Sequence, residues 1–210
     1  MKLYDAAWAP SPRKVRIYLA EKGLSVDRVT IDLRADEQLG ATYLAINPGG
    51  TVPALLLDDG ELIDDSVAIC LYFERLHSEP ALFGRTPAEV ARIAARMRAI
   101  DEQGYAAVVN VFRNATPQLA GRGLTGKWPD VPQIAALAER GRLMWPRFLD
   151  RLEAWLGGSA WVAGDDYSMA DIAALVAVDF AKAARLPPAT GRPAIARWHA
   201  AASARPSAAA

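Results

Sequence analysis

The chain has 210 residues, 52 % hydrophobic and 23 % charged, with 24 Lys plus Arg against 24 Asp plus Glu. That length admits one or two domains whose core needs no covalent staples, and the even charge balance argues against nucleic acid or an acidic membrane surface as a partner. One cysteine, Cys70, excludes an intrachain disulfide and a thiolate zinc cluster, and two histidines, His77 and His199, leave little to hold any other metal. No apolar run reaches the ~18 residues of a spanning helix. Met1–Asp5 leads into a strand-like pattern rather than a signal peptide, so the cytoplasm is the expected location.

Lys2 to Ala6 reads as a short strand. From Pro12 to Lys22 apolar residues recur at helical spacing (Val15, Tyr18, Leu19), and Gly23 follows where a left-handed helix cap belongs. Val29, Ile31 and Leu33 alternate with polar neighbours, as in a half-buried strand, and residues 37–46 read as a short irregular helix. Residues 54–57 and 61–63 are strands flanking Asp58-Asp59-Gly60, a hairpin turn. Ser66 to Leu76 is a helix with Val67, Ile69, Cys70, Leu71 and Phe73 facing inward. Residues 77–87, with Pro80, Gly84 and Pro87, change character and read as a linker. Past it no strand pattern returns: residues 89–116, 133–156, 168–185 and 193–203 are helical, and the Ala- and Ser-rich tail is expected to fray. The expected division is an α/β domain over 1–78, a linker over 79–87 and an all-helical domain over 88–210.

The richest window is Asn47-Pro48-Gly49-Gly50-Thr51-Val52-Pro53-Ala54-Leu55, followed by Asp64-Asp65-Ser66 at the head of an apolar helix. Pro53 stands at the first residue of a strand, where its missing N–H costs the ladder nothing. A cis Val52–Pro53 bond turns the Val52 N–H and carbonyl outward, where an extended ligand can pair with them as one more strand. Asp65 and Ser66 begin a helix, whose free N–H groups and positive dipole end suit a carboxylate. Edge pairing beside carboxylate capture suits a small peptide with a free α-carboxylate.

This window resembles the glutathione-binding half of the cytosolic glutathione transferases, and the resemblance runs along nearly the whole chain. The segment Ala9-Pro10-Ser11-Pro12-Arg13-Lys14-Val15-Arg16-Ile17-Tyr18 is similar to the first helix of a bacterial, serine-type-like branch of that family, and Gly164-Asp165-Asp166-Tyr167-Ser168-Met169-Ala170-Asp171-Ile172 to its C-terminal capping motif. The resemblance implies a thioredoxin-like first domain (βαβαββα), an all-α second domain, a homodimer, and attack by the thiolate of glutathione, a co-substrate, on a small hydrophobic electrophile, without a metal. A glutathione-dependent peroxidase acting on organic hydroperoxides and a non-catalytic glutathione-binding module are the alternatives.

Residue by residue, Asp65-Ser66 corresponds to the pair that holds the γ-glutamyl group, and Thr51, Val52 and Pro53 to the segment that pairs with the tripeptide. A free thiol has a pKa near ~8.5, so a catalyst must lower it. Ser11 is the candidate hydroxyl donor; its plain reading is a helix cap before Pro12. In many serine-type members the serine falls where this chain has Ala9, so backbone N–H groups near residues 10–13 are the other source of activation. Cysteine-type chemistry needs a Cys in this loop, and Cys70 reads as core. Thr51 stands where some members carry a Lys for the glycyl carboxylate, which leaves Thr51, Lys14 or solvent. Trp8, Tyr105, Phe112 and Arg113 are candidates for an electrophile pocket, and Asp101 either reaches across a dimer axis or lies on a solvated face. Ser168 and Asp171 form a capping box, flanked by Tyr167 and Ile172 as a hydrophobic staple.

Overall fold

The computed structural model describes residues 1–210 and divides into two compact units. The first comprises Met1–Pro80 together with Leu124–Pro129 and Ala210, the second Ala81–Gly123 with Asp130–Ala209.

The first unit is built on a four-stranded sheet in the order β2-β1-β3-β4, from β1 (Lys2–Asp5), β2 (Arg28–Thr30), β3 (Ala54–Leu56) and β4 (Leu62–Ile63). β1 runs parallel to β2, with Leu3 opposite Arg28, and antiparallel to β3, with Leu3 opposite Leu55. The parallel pair requires a crossover, which α1 (Pro10–Glu21) supplies, and the β3–β4 pair is the expected hairpin. Side chains alternate across the strands. Tyr4 and Ala54 therefore share a face, where they form a cluster with Ile31 and with Tyr43 of the single-turn α2 (Ala41–Leu44). Tyr4 and Tyr43 meet edge to face at 5.6 Å.

Helix α1 packs against α3 (Ser66–Leu76). The pair is pinned by polar bonds between their ends: Tyr18 Oη donates to Glu74 at 2.5 Å, and the buried Lys22 ammonium meets the same carboxylate at 2.6 Å while donating to the carbonyls of His77 and Pro80. Gly23, at φ +64°, ends α1 in the expected left-handed position. Cys70, Ile69 and Phe73 lie in the core as expected, but Val67 is half-buried and Leu71 is 42 % exposed. Eleven helical residues with one partner helix and one sheet face cannot bury so wide an arc.

The second unit is helical throughout. α4 (Pro87–Ala99) and α5 (Ala106–Ala115) were expected as one continuous helix, and a π-helical turn, Ile100–Tyr105, joins them. α6 (Ala135–Gly157) packs along α5, and α7 (Met169–Phe180) lies against α4 and that turn, with every residue from Met169 to Ala177 buried. α8 (Pro193–Ser203) packs on α6 and α7. Asp171 at the start of α7 is fully buried and accepts from the Ser168 N–H, the Ser168 hydroxyl, the Val162 N–H and the Trp198 indole, all at 2.9–3.1 Å. The expected capping box is thus also the knot that ties α8 to α7. Tyr167 packs edge-on against Trp161 at 4.9 Å, with the Arg205 guanidinium over its ring. The tail does not fray: Pro206–Ala209 form a 3₁₀ turn, and the Ala210 carbonyl accepts from Arg16 Nε at 3.2 Å. No helix is long and apolar enough to cross a membrane.

Candidate functional site

The loop from Asn47 to Pro53 is organised around one buried amide. Asn47, 1 % exposed, accepts the Gly49 N–H on Oδ1 (3.0 Å) and donates from Nδ2 to the Thr51 carbonyl (2.9 Å) and hydroxyl (3.2 Å), while its own carbonyl accepts the Gly50 N–H. A second donor, Tyr43 Oη, meets the Thr51 carbonyl at 2.6 Å. Burial pushes that phenol up to about 12, so it stays a donor across the working pH range. Beyond this knot Val52 emerges ahead of the ladder, which begins with Ala54 opposite Tyr4, and its N–H and carbonyl take no part in the loop's hydrogen bonds. Its side chain packs into the Tyr4–Tyr43 cluster. The Val52–Pro53 bond is cis.

The turn before α3 lies beside this loop, with Asp64 Oδ2 3.9 Å from the position a Cβ would take on Gly49. Asp65 is the N-cap of α3, and its Oδ1 accepts from Val67 N and Ala68 N, both at 2.8 Å. The plain capping role is therefore present, and it engages one carboxylate oxygen. Ser66 is the first helical residue and is buried. A Val52 backbone outside the loop's hydrogen bonds and a capped helix start at Asp65-Ser66 thus both belong to the first unit, where Asp64 approaches Gly49.

At the start of α1 the structure corrects the sequence expectation. The helix begins at Pro10 rather than Pro12, the N-cap is Ala9, and Ser11 is the second helical residue instead of the cap. Pro10 and Pro12 have no N–H, the Ala9 N–H donates to Ala6 O, and that of Arg13 donates to Ala9 O. Ser11 is the residue of this first turn that carries a hydroxyl. The approach to the turn is held by Arg16, whose guanidinium meets Asp5 at 2.5 Å and donates to the carbonyls of Ala6 and Ala7. Trp8 is half exposed, with the Arg34 guanidinium 6.0 Å from its ring.

One candidate leaves the site. Lys14 is 4 % exposed and close enough to Cys70 for its charge to act on the thiol. It belongs to the α1–α3 packing and not to a solvent-facing carboxylate site. Burial holds the Cys70 thiol well above its ordinary pKa, against the pull of Lys14, so it is inert core as expected.

In the second unit Tyr105 and Phe112 both pack on Phe180, at 6.2 and 5.1 Å. Arg113 donates to the Arg122 carbonyl at 3.4 Å, and burial lowers its pKa. The end of α5 is closed by Gln133, whose Nε2 donates to the carbonyls of Arg113 and Thr116. Asp101 lies in the π-helical turn, half-buried. A cavity of about 750 Å³ lies among α6, α7 and α8, lined by Trp145, Leu186, Ile195 and His199, and none of the expected site residues reaches it.

Sequence reasoning assigned no role to Asn47 or Arg16. For Asn47 a signal was present: Asn before Pro-Gly-Gly is a strong side-chain-to-backbone turn former. Arg16 carried none, because its partners are carbonyls brought together only by the fold.

Comparison with known proteins sets these features in context. Residues 8–76 match the family described as glutathione S-transferase, N-terminal domain, and residues 125–206 the glutathione S-transferase, C-terminal domain. The chain is 34 % identical to glutathione S-transferase 2 of Saccharomyces cerevisiae, over 99 % of this chain and 87 % of that one. It is also 34 % identical to maleylacetoacetate isomerase of Pseudomonas aeruginosa, over 82 % of this chain and 77 % of that one. Among solved structures, a glutathione S-transferase domain-containing protein of Marinobacter aquaeolei superposes with a TM-score of 0.89 at 31 % identity, covering 99 % of each chain.

Proposed function

The chain belongs to the glutathione S-transferase family, and from that premise we propose that it binds glutathione along Val52 and joins the glutathione, through its sulfur, to a small hydrophobic electrophile. The observation that carries the reading is the presence, in one compact unit, of a Val52 backbone left out of the ladder and of the loop's hydrogen bonds and of the helix start at Asp65-Ser66. Val52 and Pro53 present the edge to the cysteinyl residue, and Thr51 shapes the loop behind it. Ser66 receives the γ-glutamyl carboxylate at the positive end of α3, and Asp65, with Oδ1 held by the cap, meets the ammonium through Oδ2. Ser11 places its hydroxyl and N–H in the first turn of α1, where both, aided by the helix dipole, stabilise a thiolate over a thiol. Its position supports a serine-type chemistry in which the hydroxyl lies two residues past Ala9.

In the reaction the thiolate forms a carbon–sulfur bond with the electrophile. A leaving group departs with its electron pair, or, in an addition, the carbanion formed takes a proton from solvent. Trp8, half exposed in the first unit, offers aromatic surface to such a substrate. The protein acts as a cytoplasmic homodimer.

The test is the thiolate itself. Glutathione bound to this protein at neutral pH shows the ultraviolet absorbance of a thiolate, while a binding module with no catalytic role shows none. A turnover screen with an aryl halide, an isothiocyanate and an organic hydroperoxide then finds the electrophile class. One relative is named a maleylacetoacetate isomerase, so the screen includes cis–trans isomerisation of an activated double bond.

A further inference from the structure

We propose that Lys127 supplies the cation that holds the glycyl carboxylate of bound glutathione. This rests on the reading of Val52 and Ser66 above and completes it. The tripeptide carries two carboxylates, and only one is met at α3.

The direction of the ligand places the second. An antiparallel partner runs opposite to the strand it pairs with. With its cysteinyl residue opposite Val52, the residue that follows lies alongside Thr51 and Gly50. The segment Leu124–Pro129, remote in sequence, is part of the first unit and folds onto this stretch. The Lys127 N–H donates to the Gly49 carbonyl at 2.8 Å, and Lys127 Cβ lies 3.2 Å from where a Cβ on Gly50 would stand. Gly126 makes the docking possible: at φ +93°, a Cβ there would lie 2.6 Å from the Gly49 carbonyl and 3.0 Å from Thr51 Cγ2. Trp128 closes the turn by donating from Nε1 to the Thr125 carbonyl at 2.8 Å.

A second observation marks the same place. Gln38 is 8 % exposed, its carbonyl is also 3.2 Å from the Gly50 Cβ position, and its side-chain Oε1 is buried without a hydrogen-bond partner. A glycyl residue beside Gly50 brings an amide N–H to a place with an unsatisfied buried acceptor, and its carboxylate to an exposed lysine.

The competing cations are spoken for. Lys14 is buried beside Cys70, and Arg34 lies over the Trp8 ring. The Thr51 hydroxyl already accepts from Asn47. Lys127 is the cation seated at the glycyl end, on a flexible four-carbon stem suited to an exposed point-charge contact.

The experiment compares two ligands: glutathione and its C-terminal glycinamide, which lacks only the glycyl charge. Calorimetry on the full chain should show that Lys127→Gln weakens glutathione roughly fivefold, the size of an exposed charge pair, and leaves the glycinamide unchanged. Lys127→Arg should restore most of the loss, and raised salt should narrow the gap between the two ligands in the wild type more than in Lys127→Gln. Equal affinity changes for both ligands, or none, overturn the assignment. Ser66→Ala separates the two readings: it weakens both ligands alike if the binding mode holds, whatever Lys127 does. If Ser66→Ala weakens neither, the binding mode fails and takes the Lys127 assignment with it.

Discussion

At the scale of single residues, the first turn of α1 concentrates the question of thiol activation on Ser11. Pro10 and Pro12 carry no N–H, the N–H groups of Ala9 and Arg13 bond to backbone carbonyls, and Ser11 brings the turn's hydroxyl. Replacing Ser11 by Ala deletes the hydroxyl and keeps the N–H, so the variant divides the two contributions. If the hydroxyl activates the sulfur, Ser11→Ala raises the pKa of bound glutathione and shifts the pH–rate profile upward. The turnover number then falls while glutathione affinity barely changes. Titration of the thiolate absorbance decides: a pKa equally depressed in both proteins assigns activation to the N–H and the helix dipole. Because Ser11 is not the N-cap, the ~1 kcal/mol loss of a removed cap is not expected. Ser66→Ala acts on binding instead. Losing hydrogen bonds to a charged group costs ~1.5–3 kcal/mol, which is roughly a 10- to 100-fold weaker glutathione dissociation constant. An unchanged constant refutes the γ-glutamyl assignment.

At the scale of elements, α7 shows how one local signal comes to carry tertiary weight. Ser168 and Asp171 were legible as a capping box from their spacing. The fold adds Val162 and Trp198 as further donors to the same carboxylate. Ser168→Ala should lower stability by about 1 kcal/mol with turnover per folded molecule intact. Burial is the largest influence on the Asp171 carboxyl and raises its pKa, against the four hydrogen bonds that lower it. A raised folded pKa gives stability below the unfolded carboxylate range that is lost as pH rises through the folded value. The melting-temperature advantage of wild type over Asp171→Asn should therefore shrink as pH rises from about 4 upward. An advantage that grows across that window means the hydrogen bonds outweigh burial.

At the scale of the whole molecule, ligand binding and stability are linked. Glutathione at 100 times its dissociation constant should stabilise the fold by about 2.7 kcal/mol if the native state alone binds it. Thermal unfolding at rising glutathione concentrations measures this, and Ser66→Ala should shift the response to higher concentrations. A melting point indifferent to glutathione in the wild type contradicts the binding reading at every scale.

What the sequence determined by itself were the features that depend on near neighbours. The βαβαββα order, Gly23 as a stop, the Asp58-Asp59-Gly60 hairpin, Cys70 as core and Asp65-Ser66 as a helix start follow from periodicity, turn chemistry and capping, all within a few residues. Even there, alternating prolines misled: Ser11-Pro12 looked like cap and first residue, but Pro10 is equally suited to the first position and captured the start. The tertiary structure decided what depends on distant meetings. Neither composition nor spacing announced that Arg16 would hold the Ala6–Ala7 carbonyls, that the tail would end against Arg16, or that Leu124–Pro129 would return to the Gly49–Thr51 loop. These contacts join residues 9 to 194 positions apart through backbone groups that look the same at every residue, so only the packed chain selects which of them meet.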